Sequence, residues 1–183
     1  MGLRIGGEIA PGWVRDRLAG LTGTRWIGID GFGASGKSTL ARGIAQLVPG
    51  SAVISIDDFA RAGVPGWNRE LFSIEIVEPL RCGRPALYRH WDLLADAPLD
   101  WVEVPAGVPV IVEGVSAIDK RLRVPWDVTL WIDAPEEVRL ARIMARDDPL
   151  LLERWRTEWW PSEQAYARSQ QPEEHVDAVV AAP

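Results

Sequence analysis

The sequence has few of the residues that form disulfide frameworks and metal centres. Its 183 residues include one cysteine, Cys82, and two histidines. A single cysteine excludes an internal disulfide and a zinc site of the finger type. We therefore expect a reducing, cytoplasmic setting and a buried Cys82 that packs as a small hydrophobe. Lysine is scarce too: only Lys37 and Lys120 occur, and arginine, which suits planar oxyanions, supplies the other basic residues.

Excess positive charge and long apolar runs are also missing. The formal net charge is −6, so we expect no nucleic-acid partner. The most apolar stretch, 108–112, is far too short to span a bilayer, and residues 1–8 form no apolar signal segment, so we expect no membrane partner. The composition, 47% hydrophobic and 25% charged, is typical of a globular protein and predicts a single domain over residues 1–183.

Short apolar runs alternate with helical patterns along the chain. The alternation predicts an α/β fold, a doubly wound parallel sheet with helices on both faces. Ligands of such sheets bind beyond the carboxyl ends of the strands. The predicted strands are 25–30, 52–56, 108–112, 128–132 and 176–180, with short strands or a hairpin within 85–105. The predicted helices are 8–21, 37–48, 69–82, 135–146 and 150–160, the last broken or kinked at Pro161.

A glycine-rich turn follows the first predicted strand and matches G-x-x-x-x-G-K-[ST] completely. Glycine lets backbone N–H groups approach phosphate oxygens, and the positive N-terminus of the following helix adds to the attraction. Lys37 is expected to reach the β- and γ-phosphates, and the Ser38 hydroxyl to ligate Mg²⁺. The pattern predicts a nucleoside triphosphate, with Mg²⁺, as the ligand. The residues of this phosphate loop are Gly31, Gly33, Ala34, Ser35, Gly36, Lys37, Ser38 and Thr39.

Carboxylates follow the second and third predicted strands. Asp57 and Asp58 follow the second, and because successive strand side chains point to opposite sides, one of them can face the γ-phosphate. A carboxylate there can take the proton of an acceptor hydroxyl or hold Mg²⁺. The alternative is an aspartate pair that caps a turn. Glu113 ends the third strand, where it is either a Walker B carboxylate that holds the metal shell or an ordinary polar strand end.

The helix predicted from residue 135 carries Arg139, Arg142 and Arg146 on one face. Three like charges repel one another unless an anion meets them, and a triphosphate in transfer is such an anion. For Arg142 and Arg146, which lie nearest a predicted lid, we favour this role over a solvated face paired with acidic neighbours. For Arg139 both interpretations stay open.

In their order and spacing these segments resemble the uridine kinase and phosphoribulokinase family of P-loop kinases. The resemblance covers about residues 26–147 and rests on the phosphate loop, Asp57-Asp58-Phe59, Glu113-Gly114 and the pattern Arg142-x-x-x-Arg146-Asp147. It implies a fold of nucleoside-monophosphate-kinase type and transfer of the ATP γ-phosphoryl to a hydroxyl of a small metabolite, often a nucleoside. It also implies that Asp57 is the base and that Arg142 and Arg146 are lid arginines.

The resemblance is weaker in the region where family members bind the acceptor. Aromatic and polar residues between the second and third predicted strands are candidates to line that pocket, with rings stacking on a base and acids on ribose hydroxyls. Core packing and loop polarity explain the same residues equally well. The candidates are Asp58, Glu70, Tyr88, His90, Trp91 and Asp92.

Three functions stay open at this point. The first is an ATP-dependent small-molecule kinase, for a nucleoside or for another acceptor such as a nucleoside monophosphate. The second is a P-loop regulatory NTPase, and the third is a nucleotide-binding module without catalysis. The family's lid extension is missing, so we expect a short lid at about 146–161, with Trp155, Trp159 and Trp160 in helix packing. The sequence leaves open whether the protein forms a homo-oligomer.

Overall fold

A six-stranded parallel sheet forms the centre of the structure, a computed structural model that describes residues 3–146 and 148–182. Its strands, in spatial order, are β1 (Leu3–Gly6), β8 (Ala178–Ala181), β7 (Val128–Asp133), β2 (Arg25–Gly31), β6 (Pro109–Glu113) and β3 (Ala52–Ser55). Strand β2 is central, with Ile27 paired to Ile111 of β6 on one side and to Val128 of β7 on the other. The register therefore brings the carboxyl ends of β2, β3 and β6 to one edge.

Helices cover both faces of the sheet. On one face, α1 (Ala10–Leu18) and α2 (Lys37–Leu47) pack on apolar side chains of the strands, among them Ile29 and Leu130. On the other face, a continuous helical segment packs beside an antiparallel hairpin. The segment is α3 (Arg69–Phe72), a π-helical turn (Ser73–Val77) and α4 (Glu78–Arg81), and the hairpin is β4 (Ala86–Asp92) with β5 (Ala97–Val104).

Three helices follow β7 and run over the carboxyl edge of the sheet. They are α5 (Glu136–Arg146), α6 (Pro149–Arg154) and α7 (Trp160–Gln170), and a π-helical turn (Trp155–Trp159) joins α6 to α7. Asp148 caps α6 by accepting a hydrogen bond from the Leu150 amide, 2.9 Å away. Asp147, which the family resemblance includes, lies outside the described residues.

The structure adds one strand and corrects three local predictions. Strand β1, which the sequence analysis does not predict, is a short, half-exposed edge strand. Pro161 does not break the helix, because helical backbone continues from α6 through α7 and the π-helical turn just before Pro161 accommodates the proline. Cys82 is exposed because it caps the end of α4. Strand β3 ends at Ser55, and Asp57 and Asp58 lie in a 3₁₀ turn (Ile56–Phe59).

Within the described residues, no helix combines the length and apolarity that a membrane crossing needs.

Candidate active site

A cavity of about 1260 Å³ lies at the carboxyl edge of the sheet. Its floor is the phosphate loop and the ends of β3 and β6, and its roof comes from α5, α6 and α7. The cavity thus lies where a doubly wound sheet binds its ligands. Residues of the predicted donor site line it together: Gly33, Ala34, Ser35, Gly36, Lys37, Ser38, Thr39, Asp57, Glu113, Arg142 and Arg146.

The phosphate loop has the backbone that its glycines permit. Gly31 and Gly36 have φ values of 148° and 105°, which other residues rarely adopt. A Cβ at Gly31 would also lie 2.8 Å from the carbonyl oxygen of Ile132, so the close approach to β7 requires glycine. The Lys37 ammonium donates to the carbonyl oxygens of Gly31 and Phe32, at 3.1 and 2.8 Å, and is thereby held over the loop.

The two predicted metal-ligating groups beside the loop touch each other. The Ser38 hydroxyl donates to Glu113 Oε1 at 2.9 Å, across the gap between α2 and β6. Burial raises the pKa of Glu113, Lys37 opposes that rise and Asp57 adds to it. Hydroxyl and carboxylate oxygens fit Mg²⁺, which usually takes one or two carboxylates and completes its shell with water and phosphate. No cluster of three acidic, histidine or cysteine side chains that could hold a metal occurs among the described residues, so a protein-only metal cage is absent from them.

Asp57 and Asp58 have different surroundings. Asp57 is open to the cavity, but the cavity walls desolvate its carboxylate and so raise its pKa, while Lys37 has the opposite effect. Asp58 is buried and accepts hydrogen bonds from His90 Nδ1 at 2.9 Å and from the Trp91 amide at 3.1 Å. The side chains of Asp57 and Asp58 point in different directions because they lie in a 3₁₀ turn, and not because they alternate along a strand. Asp57 is the aspartate that faces the phosphate loop, which agrees with its predicted role as base or metal ligand without testing it.

The three arginines of α5 also separate into two environments. Arg142 and Arg146 line the cavity, and Arg142 Nη1 donates to the carbonyl oxygen of Ala34 at 3.2 Å. Arg139 is only 3% exposed and stacks its guanidinium over the rings of Phe32 and Trp160. Arg139 is therefore part of the packing between α5, α7 and the phosphate loop, and a solvated face is the wrong interpretation for it.

The six residues predicted for the acceptor pocket are absent from the described lining of the cavity. Tyr88 is fully buried and stacks on Phe59, and Trp91 stacks under Arg61 and donates to Asp96. Asp92 accepts from the amides of the turn after β4, and His90 pairs with Asp58 as described above. Glu70 lies in the first turn of α3. Asp58, Tyr88, His90 and Trp91 thus join the hairpin to the 3₁₀ turn and its neighbours.

Further residues, outside the predicted site, also line the cavity. They are Gly66, Trp67, Leu93, Ser116, Trp155, Trp159, Ser162, Glu163 and Tyr166. Trp155 thus has both a packing role, edge-on against Trp160, and a place on the cavity wall. The sequence signal available was the abundance of tryptophan, ten in the chain, which does not show which rings share a wall.

A buried carboxylate under the phosphate loop was missed as well. Asp30, the penultimate residue of β2, accepts hydrogen bonds from the Gly31, Ser116 and Ile118 amides and from the Tyr166 hydroxyl, at 2.7 to 3.2 Å. Burial raises its pKa to about 6, and these donors and Lys37 hold it from rising further. Asp30 therefore ties α7 and the segment after β6 to the base of the loop.

Comparison with known proteins identifies the family. The uridine kinase of Deinococcus deserti is 30% identical to this chain over 141 residues, which cover 66% of this chain and 67% of that protein. The chain belongs to the uridine kinase family. The uridine kinase of Borrelia turicatae is 27% identical over 137 residues, 66% of each chain, so the match spans about two thirds of that relative. These family members support the prediction of an ATP-dependent small-molecule kinase.

Solved structures that are similar to this chain have the same fold. A possible uridine kinase from Bacillus stearothermophilus superimposes with a TM-score of 0.72 over 94% of this chain and 98% of the other, at 18% identity. The predicted doubly wound sheet of the P-loop kinases is thereby confirmed. No family model matches the chain.

Proposed function

We propose that the protein is a phosphotransferase that moves the γ-phosphoryl group of Mg²⁺-bound ATP to a hydroxyl of a small metabolite. The observation that carries this proposal is the convergence of Lys37, the Ser38–Glu113 pair and Asp57 on one cavity with Arg142 and Arg146. A regulatory NTPase has no need of a base opposite the phosphate loop. A simple binding module has no need of arginines over it.

Each side chain has a role that its position supports. Lys37 would turn from the Gly31 and Phe32 carbonyls to the β- and γ-phosphates, and the loop amides would bind the remaining oxygens. Ser38 and Glu113 would hold Mg²⁺, which neutralises phosphate charge when bound, and Asp57 is a further candidate ligand. Asp57 would orient the acceptor hydroxyl and take its proton, a task that its raised pKa suits.

The arginines of α5 would act on the charge that moves during transfer. Arg142 already contacts the loop through Ala34, and the charge of Arg146 lowers the pKa of Asp57. Both positions support a clamp on the transferring phosphoryl group. A short lid over residues 149–159 would exclude water from the cavity. Arg154 Nη1 donates to the carbonyl oxygen of Leu93 at 2.8 Å and so ties this lid to the end of the hairpin.

A nucleoside is the acceptor that we propose first, because the curated relatives are uridine kinases. Three indole rings, those of Trp67, Trp155 and Trp159, line the same cavity as the phosphate loop and offer surfaces on which a base or a sugar face can stack. Since the hairpin candidates lie outside this wall, another hydroxyl-bearing metabolite stays the alternative acceptor.

The test is turnover of purified protein with Mg²⁺·ATP and a panel of uridine, cytidine, nucleoside monophosphates, sugars and polyols. We expect ADP release that depends on one class of acceptor, with the phosphorylated acceptor detected by mass spectrometry. Slow ADP release without any acceptor would favour the regulatory NTPase instead. Tight ATP binding without turnover across the panel would favour the binding module.

A further inference from the structure

A carboxylate from the lid region contacts the phosphate loop itself. Glu163 of α7 accepts a hydrogen bond from the Gly33 amide at 3.1 Å and is only 3% exposed. Its other oxygen lies 2.9 Å from where a Cβ on Gly33 would lie, so the carboxylate packs directly on the loop backbone. Amides of such a loop serve to bind phosphate. Glu163 therefore places a negative charge where an anionic ligand has to come.

The surroundings of Glu163 offset this charge only in part. Two cations act on it, Lys37 from α2 and Arg139 from α5, and both lower its pKa, as does the Gly33 amide. Burial has the largest effect and raises the pKa, and Asp30 under the loop raises it too. Trp155 is also buried, with 8% of its surface exposed. Its Nε1 atom lies 3.3 Å from the position that a Cβ on Gly33 would take, and it has no hydrogen-bond partner among the described residues.

Binding of a triphosphate would change this balance. The phosphates add several negative charges beside the carboxylate, and Lys37 would turn toward them. Glu163 is only 3% exposed and packs against the loop and Trp155, so its carboxylate has little freedom to turn toward water. Proton uptake from solvent removes the charge without moving the backbone. The neutral carboxyl keeps an oxygen for the Gly33 amide and gains an O–H donor for a phosphate oxygen.

We propose that Glu163 takes up one proton from solvent when a nucleoside triphosphate binds the phosphate loop. Glu163 is thus a residue of the nucleotide site that couples affinity to pH. At pH values between the pKa of Glu163 in the free protein and its higher pKa in the complex, the affinity for the nucleotide falls as pH rises, because binding requires a proton and the proton concentration falls. This inference rests on the proposed binding of ATP at this loop.

Calorimetric titration with Mg²⁺·AMP-PNP, which is not hydrolysed, tests the proposal. The native protein, Glu163→Gln and the matched control Glu103→Gln are compared from about pH 6 to about pH 9, in two buffers of different ionisation enthalpy. Glu103 is exposed on β5, so its substitution removes the same charge without touching the loop or the lid. Proton binding by the nucleotide itself is common to all three proteins and drops out of the comparison.

We expect Kd of the native protein to rise with pH by up to about tenfold per unit, with proton uptake in the buffer comparison. Glu163→Gln should lose this dependence and bind about tenfold or more tightly at the highest pH, the equivalent of one pKa unit or more. Glu103→Gln should behave as the native protein does. A native slope that Glu163→Gln retains, or one that Glu103→Gln also loses, overturns the assignment. Absence of binding at every pH overturns the proposed function and this inference together.

Nuclear magnetic resonance of the native protein gives a second test, which does not depend on whether a variant folds. The Gly33 amide reports on the carboxylate that it contacts, so its shift should titrate with Glu163. We expect the midpoint of this titration to move to higher pH when Mg²⁺·AMP-PNP is added. A midpoint that stays in place while the other loop amides respond to the nucleotide overturns the proposal.

Discussion

One wall of the cavity consists of backbone amides, Lys37 and two carboxylates, Asp57 and Glu113, held at the ends of strands β2, β3 and β6 or one turn beyond. The other wall consists of tryptophan rings from helix turns and loops that are far apart in sequence, Trp67 from before α3 and Trp155 and Trp159 from the π-helical turn, and Trp155 reaches the phosphate loop at Gly33. The first wall is fixed by hydrogen-bonded register, and the second by side-chain packing. The proposed function therefore assigns phosphate chemistry to the first, rigid wall and choice of acceptor to the second, which substitution can reshape.

The largest effect should come from Lys37→Ala on the rigid wall. The lysine charge is needed where γ-phosphate charge develops, so we expect kcat to fall by at least about 10³. Because the Lys37 ammonium donates to backbone carbonyls at the cavity floor and is not part of the apolar core, the thermal midpoint should change far less than kcat. Lys120→Ala removes the only other lysine, which donates to the carbonyl of Gln170 far from the loop, and should leave kcat unchanged. Near-normal turnover of Lys37→Ala would show that the phosphate loop does not take part in catalysis through Lys37.

The neighbouring aspartates sharpen the contrast between chemistry and packing. Asp57→Asn should lower kcat by about 10² to 10⁴, the usual contribution of a general base, with little loss of stability. Asp58→Asn should keep most of kcat but destabilise the fold by about 1–3 kcal/mol, since Asp58 is buried between His90 and the Trp91 amide. Kinetics at saturating Mg²⁺·ATP and urea unfolding of both variants decide this. A large kcat loss in Asp58→Asn alone would exchange the two roles.

Two glycines test how far the rigid wall depends on close contact. Gly114, directly after β6, has a φ of 149°, and a Cβ there would overlap Cγ1 of Ile56. Gly114→Ala should therefore destabilise the fold by about 3 kcal/mol or more, from strain and overpacking together. Gly107 has a φ of 79° and open space around it, so Gly107→Ala should cost only about 1–2 kcal/mol. Equal losses in urea unfolding would show that the contact with Ile56 relaxes freely.

Tyr166→Phe, where the two walls meet, should have a smaller effect than Gly114→Ala. The Tyr166 hydroxyl donates to Asp30 at 2.7 Å. Burial raises the pKa of Asp30 to about 6, so the stability that its protonation contributes is lost as pH rises through about 6. Loss of the phenol raises this pKa further. Destabilisation should be about 0.5–1.5 kcal/mol near pH 5 and about 1.5–3 kcal/mol near pH 8, measured by urea unfolding. Equal losses at both values would show that Asp30 does not change its ionisation between them.

The same division explains which features sequence reasoning could find. The phosphate loop, Glu113 and the central strands carry local signals, because glycine pattern and apolar runs act over a few neighbouring residues. Glu163 and Trp67 reach the cavity only through the packing of α7 and of the loop before α3, which no spacing reveals. Tyr88 and Trp91 show the opposite case. Both match what an acceptor pocket needs, but Tyr88 is buried against Phe59 and Trp91 stacks against Arg61, outside the cavity lining.

The pairing of β1 with β8 bears on how the protein is made. Leu3 lies beside Ala178 and Ile5 beside Val180, so the two strands are separated by almost the whole described chain. During synthesis β1 emerges from the ribosome first and then waits, unpaired, until β8 has been translated. The remaining strands can assemble earlier around β2, because their partners come sooner. The sheet edge at β1 is therefore the last part able to close, and for that interval the nascent chain exposes the flank of β7 that β8 later covers.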